Sequence, residues 1–128
     1  MELSGISVFQ LASRRLDWLA QRQSVIARNI ANADTPDFKA RDVEPFSALV
    51  DRGRSPGLAR THPAHITGSM TGTAARLATP GWDVSINGND VVLEEQSLKA
   101  AEVAEAFQLA TMVYKRGHDL LGLALTSK

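Results

Sequence analysis

The stretch most suggestive of chemistry is His62-Pro63-Ala64-His65. Two imidazoles three residues apart could ligate a metal ion if a helix placed them on one face. Pro63 stands between them in a loop-like context and no third ligand stands nearby, so the expectation is a pair of solvated loop histidines. His118 is a single histidine in a helical stretch and reads as a polar-face residue. Serines and threonines are plentiful, but no G-x-S-x-G elbow accompanies them. Neither a GxxxxGK(S/T) phosphate loop nor a GxGxxG fingerprint occurs. Glu94 and Glu95 are a carboxylate pair, yet adjacent helical residues point in different directions and do not share a site. Lys39 and Arg41 are too few to make a basic patch. The chain has no cysteine, which removes thiolate nucleophiles, thiolate metal sites and disulfides. No catalytic residue, metal or cofactor is assigned, and an enzyme is not expected.

If the chain does little chemistry, its composition should say what else it does. Fourteen basic residues balance fourteen acidic ones over 128 residues, so there is no electrostatic case for nucleic acid. The apolar fraction of 44% is that of a folded chain, whereas aromatics at 5% are a thin supply for a compact core. No apolar run reaches membrane-spanning length, and the start of the chain does not read as a cleavable secretion signal. Direct membrane insertion is therefore not expected.

Punctuation divides the chain into three. All five prolines lie between Pro36 and Pro80, and six of the nine glycines between Gly53 and Gly88. The flanks are nearly free of helix breakers. We read residues 1–35 as an N-terminal helix, 36–89 as an irregular middle and 90–128 as a C-terminal helix, all in one structural domain. Ser7 and Gln10 have capping-box spacing at the start of the first helix, and Pro36 should stop it. Asp90, after the Asn87-Gly88 turn signal, is the expected cap of the second. In the middle, Pro45 followed by Phe46, Leu49 and Val50 predicts a short helix. Arg52 to Pro80 reads as loop, and the alternation Trp82, Val84, Ile86 predicts a short strand.

Each flank carries a seam whose steps alternate three and four residues. In the first it runs through Phe9, Ala12, Leu16, Leu19, Gln23, Ile26, Ile30 and Ala33. In the second it runs through Leu93, Gln96, Ala100, Val103, Phe107, Ala110, Tyr114, Gly117, Leu121 and Ala124. The predicted fold is mainly α, with the two long helices paired as an antiparallel coiled-coil hairpin. Arg22 and Arg28 would then lie near Glu102 and Glu105. Gly117 weakens its helix by about 1 kcal/mol unless close packing compensates.

Both helices have more apolar surface than a hairpin needs. Leu11, Trp18 and Val25 recur every seven residues away from the first seam, and Leu98, Leu109, Met112 and Leu123 lie outside the second. A helix apolar on opposite faces must be buried on both. The middle segment could fold over these residues, or other chains could cover them. The middle is poor in large apolar residues, so subunit contact is the expectation.

One stretch is neither seam nor ordinary loop: Asn29-Ile30-Ala31-Asn32-Ala33-Asp34-Thr35-Pro36-Asp37-Phe38-Lys39. It resembles the N-terminal signature of the flagellar rod and hook axial protein family, whose common form is close to ANNIANANTPGYK. Lys39-Ala40-Arg41-Asp42 with Phe46, Thr61-His62-Pro63 with His65-Ile66, and Gly88-Asn89-Asp90-Val91 with Leu93-Glu94 resemble its proximal-rod, FlgB-type branch. Arg28 stands where the family often has an asparagine, Asp37 replaces the turn glycine and Phe38 the tyrosine. The resemblance implies a structural subunit of the bacterial flagellar basal-body rod, transmitting torque and lining the export channel for motility. It further implies export by the flagellar type III system, a place in the periplasmic rod, and terminal helices packed against those of neighbours. The implied partners are copies of the chain, other rod proteins, and the membrane ring and export gate at the rod base. A soluble helical adaptor or chaperone holding a partner helix, and a small metal-dependent hydrolase using His62 and His65, remain as alternatives.

Overall fold

A computed structural model describes residues 3–54, 75–77 and 85–126. Helix α1 spans Leu3–Ala31, strand β1 Arg41–Val43, helix α2 Phe46–Arg54, strand β2 Ala75–Leu77 and helix α3 Leu93–Thr126. The first and last helices, 29 and 34 residues long, run antiparallel side by side and make the body of the molecule. Their register shows at two places: Phe9 packs against Gly117 and Tyr114, and Asn29 bonds Gln96. No helix among the described residues is long and apolar enough to cross a membrane.

The core is small. Leu19 and Ile26 of α1 and Val103 of α3 are buried at the helix interface, joined by Trp18 and by Val43 of β1. Ala100, Ala106 and Ala110 pack against them and let the two backbones approach. Burying one such leucine or isoleucine contributes about 1.5–3 kcal/mol, so a few residues carry much of the hairpin's hydrophobic stabilisation.

The middle segment is more than a connection. Pro45 precedes α2, where its carbonyl accepts the amide of Ala48, 3.1 Å away. Strand β1 pairs antiparallel with β2, Asp42 opposite Arg76. β2 lies inside the stretch read as loop; three residues are too few for alternation to show. Ile86, placed in a strand by the sequence reading, sits in a turn closed by the amide of Gly88 on the carbonyl of Ser85, 2.8 Å. Trp82 and Val84 lie outside the described residues, as do His62 and His65.

The helix ends also differ from expectation. α1 is already helical at Leu3, so Ser7 lies within it and is not its cap. It stops at Ala31, before Pro36, because Asn32 turns the chain: its Nδ2 donates to the Arg28 carbonyl at 2.8 Å. Asp90 does not cap α3, which begins at Leu93 with the Gln96 amide on the Val92 carbonyl at 3.0 Å. Its carboxylate is used elsewhere. Arg22 is within reach of the Glu102 charge, as the spacing predicts, but its direct partner is Asp42 at 3.0 Å. Arg28 sits at the Gln96 end of the hairpin, more than two turns along α3 from Glu105.

Candidate functional site

The stretch from Asn29 to Lys39 builds a polar clasp at the end of the hairpin where the middle segment joins α1 to α3. Asn29 is 1% exposed, and its side chain makes three hydrogen bonds inward, using both amide donors. Its Nδ2 donates to the Arg41 carbonyl at 2.7 Å and to Gln96 Oε1 at 2.9 Å, and its Oδ1 accepts the Arg41 amide at 3.1 Å. One amide therefore ties α1 to β1 and α3. Asn89 does the reciprocal work from the other side. Its Nδ2 donates to the carbonyls of Asn32 (2.9 Å) and Thr35 (2.7 Å), and its Oδ1 caps the Val91 amide at 2.8 Å. Asp90, also buried, accepts the Ala40 amide, and Lys39 Nζ donates to the Gly88 carbonyl at 2.7 Å.

The turn inside the clasp needs unusual backbone. Asp37 has φ 58° and Gly88 φ 81°, and the Asp37 side chain lies where a Cβ on Gly88 would stand. Aspartate visits this left-handed region more readily than most residues, though less easily than glycine. The Asp37 amide then reaches the Asn87 carbonyl at 3.0 Å. Thr35 Oγ1 donates to Asn32 Oδ1 at 3.1 Å. Asp34 and Pro36 are exposed, Phe38 is half-buried, and Ile30 and Ala31 are exposed at the helix end.

A second cluster lies beside the core. Trp18 is only 6% exposed and its indole N–H donates to the Glu44 carbonyl at 2.8 Å. Its ring lies 5.9 Å from that of Phe46. The guanidinium of Arg15 stacks on both rings, at 4.7 and 4.8 Å from their centroids. Burial pulls the Arg15 pKa down, and the nearby Arg22 charge adds to this. Arg22 forms a fork with Asp42, Nε to Oδ1 and Nη2 to Oδ2, both 3.0 Å. That hydrogen bonding raises the Arg22 pKa, against burial. For Asp42, burial pushes upward, but the Arg22 and Val43 hydrogen bonds and the charges of Arg22 and Lys99 outweigh it, so its pKa lies below the ordinary value. Lys99, 3.8 Å from Asp42 and 2.7 Å from Glu95, links this cluster to α3.

The two apolar sets are distributed differently from the sequence reading. From the seam, Leu19, Ile26 and Val103 are buried, and Phe9, Leu16 and Tyr114 half-buried. Phe9 packs on Tyr114 edge-to-face at 5.5 Å and rests on Gly117, where the missing side chain gives it room. Ile30, Phe107 and Leu121, expected in the seam, are exposed (40, 43 and 47%). At 3.6 residues per turn, one turn on from Ile26 falls between residues 29 and 30, and one turn on from Val103 between residues 106 and 107. Asn29 and Ala106 are the members of these pairs that face the interface, Asn29 bonding Gln96 and Ala106 packing on the core, while Ala110 keeps its place in the seam. From the outward set, Trp18 and Val25 are corrected: Trp18 is covered by Phe46 of α2 and clusters with Val43 of β1, and Val25 packs, half-buried, against the same cluster within the chain. Leu11, Leu98, Leu109, Met112 and Leu123 stay exposed, joined by Val8, Val113 and Leu120. Sequence reasoning missed Arg15 and Asp42 as partners of Trp18 and Arg22, because residues distant in sequence carry no shared period.

Residues 9–39, which contain most of α1 and the first half of the clasp, match the family model described as flagella basal body rod protein. The chain is similar to the flagellar basal body rod protein FlgB of Agrobacterium fabrum, 38% identical over 124 residues, 93% of this chain and 92% of that protein. It is similar to FlgB of Salmonella typhimurium at 33% identity, covering 84% and 83% of the two chains. It is similar to FlgB of Escherichia coli at 36%, covering 74% and 75%. With the asparagine clasp and the long antiparallel hairpin, these likenesses identify the chain as a member of the FlgB family of flagellar basal body rod proteins.

Proposed function

We propose that the chain builds the proximal part of the flagellar rod by packing its long helices against those of neighbouring subunits, and that it does no catalysis. It is a structural component of the flagellar basal-body rod. What supports the packing is the row Leu11, Leu98, Leu109, Met112 and Leu123, left exposed by a chain that covers Trp18 and Val25 itself. Large side chains exposed together on a helix surface mark an interaction site.

In this reading the clasp sets the angle at which the middle segment leaves the hairpin. The middle then reaches adjacent subunits, the membrane ring or the export gate. The chain is exported by the flagellar type III apparatus and stands in the periplasm. Its subunit contacts are the exposed outer row, together with Ile30, Phe107 and Leu121.

The test is deletion of the encoding gene, expected to abolish swimming and rod assembly, with both restored by the gene in trans. Normal swimming of the deletion strain would sink the reading. Export is tested by following the chain in a strain whose flagellar export apparatus is inactive: it should then stay in the cytoplasm.

A further inference from the structure

An apolar groove of about 320 Å³ runs between the two long helices beside α2. Val8, Leu11 and Ala12 of α1, Phe46 of α2, and Leu109 and Val113 of α3 line it, and one charge, Arg15, stands among them. Arg15 is held flat on Trp18 and Phe46, and among the described residues no carboxylate pairs with it. The charge of Arg22 acts on it and repels it. The groove thus presents apolar walls and a pre-oriented guanidinium with no counter-ion among the described residues. Such a surface fits a helix that carries apolar side chains and a carboxylate on one stripe.

This chain has such a stripe. Leu98, Glu102 and Glu105 follow at steps of four and three on the outward side of α3. Leu98 is 63% exposed and Glu105 is exposed. The charge of Glu102 already acts on Arg22 within the chain, which leaves Glu105 as the outward carboxylate.

We propose that the groove receives the α3 stripe of a second copy of this chain, with Leu98 seated among its apolar side chains and Glu105 paired with Arg15. The inference rests on the rod reading in taking another copy as the neighbour. The Leu98–Glu105 stripe and the groove, which meets α3 at Leu109 and Val113, occupy different levels of the helix. A copy that accepts one neighbour still offers its own stripe to the next. The contact is head-to-tail, which propagates where a two-fold contact would close.

The absence of native cysteine makes the test clean. Full-length chain carrying Leu11→Cys is mixed with full-length chain carrying Leu98→Cys and oxidised. A disulfide-linked pair of the two variants should outnumber either pair of like variants. Arg15→Glu in the first chain, or Glu105→Arg in the second, should lower its yield about tenfold, and the two together should restore it. Arg15→Lys should keep most of the yield. Glu105→Arg leaves the groove intact, so its effect does not depend on how the acceptor tolerates change. Dominance of like pairs, yields indifferent to these charges, or no cross-linking would each overturn the proposal. In cells, Arg15→Glu should impair swimming and Glu105→Arg in the same chain should rescue it. Normal swimming by Arg15→Glu in a background where gene deletion stops swimming would remove the groove and leave the rod reading standing.

Discussion

Replacing Asn29 by alanine should unfasten the clasp while leaving the hairpin's apolar interface in place. The side chain makes three hydrogen bonds, of 2.7, 2.9 and 3.1 Å, to two different elements. Each contributes about 0.5–1.5 kcal/mol net, and a buried partner left unpaired costs about 1–3 kcal/mol. The three lost groups are not equal. The two bonds to the Arg41 peptide are only part-buried, so water reaches that peptide more readily; the bond to Gln96, which is 2% exposed, is buried and its amide stays dry. We therefore expect a loss of about 2–4 kcal/mol, a large fraction of the 5–15 kcal/mol typical of a domain. Urea unfolding of the full-length chain, followed by circular dichroism, measures it. Two further readouts identify the cause. The Arg41 amide should exchange with solvent faster in the variant, since its acceptor is gone. A double-mutant cycle with Gln96→Ala should give a coupling of about 1 kcal/mol, because the second truncation removes the group that the first left stranded. A loss below about 0.5 kcal/mol with unchanged Arg41 protection would refute the assignment of the clasp to this asparagine.

Other perturbations follow from the same geometry. Asp42→Asn should cost about 1–2 kcal/mol at neutral pH through the lost fork with Arg22. The folded pKa of Asp42 is depressed, so its contribution is complete above the unfolded value of about 4 and is lost as pH falls through the lower folded value. The difference between wild type and variant in urea melts should shrink in acid, and a difference that grows in acid would contradict the pairing. Gly117→Leu should cost about 1–3 kcal/mol despite leucine's better helix propensity, because a Cβ there would stand 2.9 Å from Phe9 Cζ; a stabilised variant would show that Phe9 does not rest on Gly117. Asp37→Gly should gain about 0.5–1 kcal/mol in thermal melts by relieving φ 58°. Gly88→Ala should be less harmful in that background than alone, since the Asp37 side chain in its way is gone.

Much of the hairpin was readable in the sequence because period is a local property. Leu19, Ile26 and Val103 repeat on their helices at spacings that a single chain segment reveals, and Pro45 announces α2 by its own backbone chemistry. The clasp was legible only as an odd motif. Nothing in Asn29 or Asn89 says which carbonyl each will meet, because Arg41 and Asn32 come to them through the fold. Seven-residue spacing was also over-read. It placed Ile30 and Phe107 inward, whereas one helical turn on from Ile26 or from Val103 falls between two residues, and Asn29 and Ala106 are the ones that face the interface.

Trp18 gives the most instructive difference, since it changes what a substitution there would mean. By spacing it belongs to an outward row with Leu11 and Val25, and a charge there would be read as blocking assembly. In the structure it is a core residue under β1 and α2, bonded to Glu44 and stacked on Arg15. Trp18→Asp would unfold the junction between hairpin and middle segment by burying a charge beside Val43, and any failure to assemble would follow from that. Leu11, Leu98 and Leu109 are the positions where a polar substitution separates the two effects. Each is exposed, so a change to serine leaves the chain folded, and loss of assembly there reports on the neighbour rather than on the fold.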